Sequence, residues 1–137
     1  MAKTFTAPFA QTPQTANAVC TGVATVTDDN PSNTQLLLTA GSDGAILTRL
    51  TAIPRATVTA SSLALWISKD GGTTKRLVDS VLMAAATVNT TTAIAVTTFT
   101  TYSESAPLRL AAGDKLYVGS QVALSGGIVF RAEYTDF

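Results

Sequence analysis

Leu63-Ala64-Leu65-Trp66-Ile67-Ser68, followed at once by Lys69-Asp70-Gly71-Gly72-Thr73-Thr74, decides the fold. Leu63, Leu65 and Ile67 fall at every second position with Trp66 opposite them, and alternation of that kind is the period of a strand. Asp70-Gly71 and Gly71-Gly72 supply the positive φ that a tight hairpin turn needs. A strand over 57–68, a turn and a returning strand over 75–86 follow.

The same pattern extends outward in both directions. Val19, Thr21, Val23 and Thr25 share one face, with Cys20, Gly22, Ala24 and Val26 on the other, and Asp28-Asp29-Asn30-Pro31-Ser32-Asn33 closes that strand with turn residues. The run 35–39 is a second strand, and 40–45 is expected to be a hairpin turn. From Ala45 to Ile53 the faces are Ile46, Thr48, Leu50 and Ala52 against Leu47, Arg49, Thr51 and Ile53, until Pro54 interrupts. The stretch 84–101 is read as a strand plus a threonine-rich connection. Leu108-Arg109-Leu110 leads into a turn at 111–114, strands follow over 116–124 and 128–137, and Ser125-Gly126-Gly127 lies between them. About eight short strands separated by turns predict an all-β antiparallel sandwich, most simply a jelly roll. Residues 1–16 are expected to form an extended N-terminal arm and 17–137 a single sandwich domain.

Composition excludes several classes of function. Nine basic residues balance nine acidic ones, and only 13% of the 137 residues are charged, about half the usual share. The absence of a basic excess argues against nucleic acid, because phosphate binding needs Lys and Arg. At 46% hydrophobic the chain is able to fold rather than remain disordered. Thr (24) and Ala (22) make up a third of it. The longest apolar run, 81–86, is far below the ~20 residues that span a bilayer, and Met1-Ala2-Lys3-Thr4-Phe5 lacks the apolar core of a signal peptide. No membrane association is expected.

The catalytic inventory is thin. No histidine is present, so the commonest general base and metal ligand is missing. Cys20 is the only cysteine and is read as a small buried apolar residue. The carboxylates fall mostly in turns; Asp114 and Glu133 are the one pair placed on late strands where a glycosidase-type approach is conceivable. Asp28-Asp29-Asn30 offers oxygens to Ca²⁺ but matches no EF-hand spacing. Gly41-Ser42-Asp43-Gly44 and 69–72 resemble phosphate loops only in composition, since a phosphate loop opens a helix. No catalytic residue, metal site or cofactor is expected, and the chain is read as non-enzymatic.

Two features suggest contact with other proteins instead. Phe5, Pro8 and Phe9 stand among Thr, Gln and Ala in a stretch without regular period. Such a segment either tucks onto its own sandwich or docks on a neighbour by strand addition. Trp66 opposes the Leu63/Leu65/Ile67 face, so either both faces of a central strand are buried or Trp66 anchors a partner or stacks on a sugar. Phe5, Pro8, Phe9 and Trp66 are therefore the candidate partner-contact residues.

The succession Phe9-Ala10-Gln11-Thr12-Pro13-Gln14-Thr15, Leu38-Thr39-Ala40-Gly41-Ser42-Asp43-Gly44, Leu63 to Gly71 and Leu108-Arg109-Leu110-Ala111-Ala112-Gly113-Asp114 resembles small virion proteins of tailed bacteriophages. Leu110 to Val118 is also similar to the turn before a late strand in trimeric jelly rolls of the tumour-necrosis-factor and complement type. The resemblance implies a capsid decoration, or cement, protein without catalytic function. It implies the major capsid protein and other copies of itself, as a homotrimer, for partners. It also implies synthesis in the bacterial cytoplasm and residence on the capsid surface of the virion. A tail-associated, receptor-binding or carbohydrate-binding virion module is the alternative.

Overall fold

Stiff β-branched side chains favour extended backbone, and strands dominate the computed structural model, which describes residues 12–137. Nine strands are present among these residues: β1 (Thr12–Cys20), β2 (Gln35–Thr39), β3 (Ala45–Pro54), β4 (Ser61–Ser68), β5 (Arg76–Met83), β6 (Thr97–Thr98), β7 (Leu108–Leu110), β8 (Lys115–Ser120) and β9 (Ile128–Asp136). They form an antiparallel β-sandwich. One sheet has the order β1-β9-β3-β6, with β7 also on β3, and the other β2-β8-β4-β5.

The pairing is nested. β1 lies on β9, β2 on β8, β3 on β6 and β7, and β4 on β5. The chain thus resembles one long hairpin folded over, with its tip between β4 and β5, where Gly71 (φ 80°) and Gly72 (φ 104°) make the expected turn. The turn at 40–44 is also tight, but it is not a hairpin: it carries the chain from β2 in one sheet to β3 in the other. β1 takes in Thr12 to Ala16, which were expected in the arm, and ends at Cys20. Residues 21–34 then form a connection, where the alternation of Val19 to Val26 predicts a strand.

Leu47, Leu50, Leu63, Leu65, Leu116, Val118, Ile128 and Phe130 fill the space between the sheets, all fully buried. Phe99 reaches in from the connection after β6 and stacks at a tilt on Phe130, centroids 6.5 Å apart. On β3 the expected faces fail: Leu47 and Leu50 are both core although three positions apart. Thr48 is an extra residue opposite β9, between Leu47↔Tyr134 and Arg49↔Glu133, and such a bulge inverts the faces beyond it. The Thr48 hydroxyl donates to the Glu133 carbonyl at 3.1 Å, which ties the bulge down.

A second, smaller cluster lies on the outer face of the β2-β8-β4-β5 sheet. Ala24 from the β1–β2 connection packs on Ala64 and Trp66, with Val26 and Tyr117 at its margin. Gly119 permits this approach, since a Cβ there would stand 2.7 Å from Ala24 Cβ and 3.1 Å from Trp66 Cζ3. Gly119→Val should therefore lift the connection and destabilise the chain by about 1–3 kcal/mol, the usual cost of overpacking. Denaturant melts measure this, and an unchanged midpoint would show that the connection does not press on the sheet.

Candidate interaction surface

The outer face of the β2-β8-β4-β5 sheet is half covered and half bare. Over β8 and β4 the connection 21–34 acts as a strap. Ala24 N–H donates to the Ser120 carbonyl at 2.9 Å beside a parallel bridge between Val23 and Ser120, and Leu124 N–H donates to the Thr21 carbonyl at 2.9 Å. At the far end Lys75 N–H donates to the Asp29 carbonyl at 2.7 Å, Lys75 Nζ donates to Asn30 Oδ1 at 2.7 Å, and Arg76 pairs with the Asp29 carboxylate. Lys75 Nζ also stands 4.5 Å over the Tyr117 ring, a cation–π contact.

Trp66 lies beneath this strap with 0% exposure. The partner-contact expectation for Trp66 is thus corrected: its own chain covers the indole, and both faces of the central strand β4 are buried. Phe5, Pro8 and Phe9 lie outside the described residues.

The strap meets β5, the last strand of its sheet, only at its first residue, Arg76. Val78 is an extra residue between Leu65↔Asp79 and Trp66↔Leu77. This bulge puts Leu77 on the same outer face as Ser80 and Leu82, which pair with Ala64 and Ser62. Leu77 (47%), Val78 (39%) and Leu82 (70%) are exposed, as is Val96 (55%) in the following connection. An open cleft of about 290 Å³ lies where β5 ends, lined among others by Pro54, Leu82, Met83, Ala85, Val96 and Thr98. No lining residue is charged. These apolar residues were not singled out from the sequence. The signal was there in the runs Leu77-Val78 and Val81-Leu82-Met83, where alternation breaks, but alternation does not reveal which strand forms an edge.

Several carboxylates are engaged structurally. Asp114, 4% exposed, accepts from Lys69 Nζ at 2.7 Å and from Ala111 N–H at 2.9 Å, while Glu133 faces Arg131 at 4.0 Å. The structure gives this pair different partners rather than each other. The oxygens of Asp29 and Asn30 are taken up by Arg76 and Lys75, and among the described residues no group of three or more Cys, Asp or Glu is placed to hold a metal ion. Asp70 accepts from Thr74 N–H and the Ser68 hydroxyl, which hold its carboxyl below the usual range and shape the hairpin. Ser120 ends β8, its hydroxyl 2.6 Å from that of Ser61 in a buried pair. Among the described residues no helix is long and apolar enough to cross a membrane. Comparisons with families of known proteins, with curated proteins and with solved structures found no match to this chain.

Proposed function

We propose that the chain is a capsid decoration protein of a tailed-bacteriophage virion, a non-enzymatic jelly roll that binds the outer capsid surface as a homotrimer and braces the head. The observation that carries this reading is the bare apolar stripe of Leu77, Val78, Leu82 and Val96. Contiguous exposed apolar residues mark interaction sites, and interface cores are depleted in charge in the same way. Net charge of zero favours association over solubility, in keeping with a protein that works in an assembly. The order β1-β9-β3-β6 facing β2-β8-β4-β5 supports the jelly-roll wiring, an architecture common in viral capsid domains.

Quantitative gel analysis of purified virions tests the proposal. A decoration protein is expected at a copy number comparable with that of the major capsid protein. A copy number matching the few subunits of a tail tip would overturn it in favour of a tail-associated module.

A further inference from the structure

The sheet that carries β1, β9 and β3 has an outer face of its own. Leu50 pairs with Ala132 and Ala52 with Phe130, all four buried in the core, so the pairs that alternate with them turn outward: Arg49 opposite Glu133 and Thr51 opposite Arg131. Arg109 of β7 stands opposite the outward Ile46, on the other side of β3 from β9. Arg49, Arg109 and Arg131 are exposed. They occupy three neighbouring strands, each one strand over and two residues along from the last, which makes a diagonal with steps of about 8 Å. The bulge at Thr48 completes this row, because without the extra residue Arg49 would face the core. Between the arginines the face is made of short side chains, Thr15 and Asn17 on β1 and Thr51 and Thr98 on β3 and β6.

Positive charge is left over there. Glu133 is the one carboxylate that these strands turn outward, and Arg131 stands 4.0 Å from it. Among the described residues Arg49 and Arg109 have no ion-pair partner and donate no side-chain hydrogen bond. All three cations are arginine, whereas Lys69, Lys75 and Lys115 belong to the strands and turn of the other sheet. Arginine is weakly hydrated and grips a carboxylate with two parallel N–H donors, and it is enriched in protein interfaces where lysine is depleted.

We propose that this face docks a carboxylate-bearing surface of another protein, with Arg49, Arg109 and Arg131 as its anchors. The position of Glu133 favours a protein over a nucleic acid. It lies beside Arg49 and Arg131, where it repels a continuous row of phosphates but can accept a hydrogen bond from a partner that carries both donors and acids. Zero net charge likewise gives no long-range pull on a polyanion, so recognition rests on local pairing. The proposal stands apart from the decoration reading, which leans on the apolar stripe beside β5 in the other sheet.

Fluorescein-labelled poly-L-glutamate serves as the carboxylate probe, with its anisotropy followed at about 0.01 M ionic strength, where screening is weak. Arg49→Gln/Arg109→Gln removes two charges from the face, and Arg76→Gln/Lys115→Gln removes two from the other sheet. The wild type is expected to bind, and the first variant to bind about fivefold more weakly, the ~1 kcal/mol that two exposed charge pairs are worth. The second variant should stay within about twofold of wild type, since its charges lie outside the face. Native Trp66 fluorescence shows that both variants are folded. A wild type that ignores the polymer, or two variants that weaken equally, would overturn the inference. Tighter binding to a labelled DNA duplex than to polyglutamate would overturn it in favour of nucleic acid. A wild-type dimer that Arg49→Gln/Arg109→Gln disperses would overturn it in favour of a second copy of this chain. No capsid enters this experiment, so a chain that binds polyglutamate through these arginines but fails to bind heads would count against the decoration reading alone.

Discussion

Trp66→Ala is expected to destabilise the chain by about 3–5 kcal/mol, the range for truncating a buried large aromatic. For a chain of this size that lowers the melting temperature by roughly 10–20 °C. A typical domain has only about 5–15 kcal/mol in total, so much of the margin is lost. Trp66 is central because its side chain is the apolar contact beneath the strap, whose hydrogen bonds to Ser120 and Lys75 hold it only at its two ends. Its backbone belongs to β4, paired on both sides, while its side chain supports Ala24 and so the strap 21–34. The contacts at the end of the strap do not replace it: Arg76 and Asp29 are both well exposed, and an exposed ion pair is worth about 0–1 kcal/mol. Its indole Nε1 donates to no acceptor among the described residues, so the indole contributes packing rather than a hydrogen bond. Trp66→Ala should therefore also speed proteolysis within 28–33. Trp66→Phe keeps much of the ring and should cost markedly less. Thermal melts and limited proteolysis decide the matter. A Trp66→Ala chain that melts like wild type but fails to assemble would restore the partner-contact role that burial denies to this residue.

How far the sequence discloses such a layer depends on the range of the interactions. The β4–β5 hairpin is legible because everything that makes it is contiguous: alternation over Leu63 to Ser68, two glycines with positive φ, and a returning strand. The pairing of Thr12 with Asp136 has no local signal at all, and the division into two sheets rests on such pairs. Bulges do more damage to a reading by period. One extra residue at Thr48 inverts the outer half of β3, and one at Val78 turns Leu77 outward beside Leu82. The apolar stripe at the β5 edge is therefore invisible to alternation, although its residues stand out by type. β6 and β7, two and three residues long, are too short to show a period. Val19 to Val26 alternates as well as any strand, yet β1 stops at Cys20. Beyond it the chain follows Ser120 and Lys75 instead of a sheet neighbour, so alternation there records a strap with one buried side.

Alkaline pH should unfold the protein through two buried acids. Cys20 has 0% exposure, and its Sγ donates to the Val118 carbonyl at 3.3 Å. Burial pushes this thiol from 9.0 up to about 12. Burial also pushes the Tyr102 phenol from 10.0 up to about 12, helped by the Asp79 carboxylate beside it. Both shifts favour the neutral form in the folded chain. Below pH 9 the thiol is protonated in folded and unfolded chains alike, and pH has no leverage through it. As pH rises past 9 the unfolded chain gives up the thiol proton while the folded chain keeps it. The unfolded state then binds fewer protons, and stability falls until the folded thiol itself ionises near 12. From Cys20 alone the loss at pH 11 is on the order of 2–3 kcal/mol. Urea midpoints at pH 8 and pH 11 measure it. Cys20→Ala should flatten the decline, Tyr102→Phe should flatten it further, and the double variant should keep only a smaller decline, to which Tyr134 contributes because burial and the Asp136 carboxylate push its phenol up as well. A wild type and a Cys20→Ala chain that decline in parallel would show that the thiol ionises freely in the folded state. That in turn would require water to reach the end of β1, the place where the strap begins.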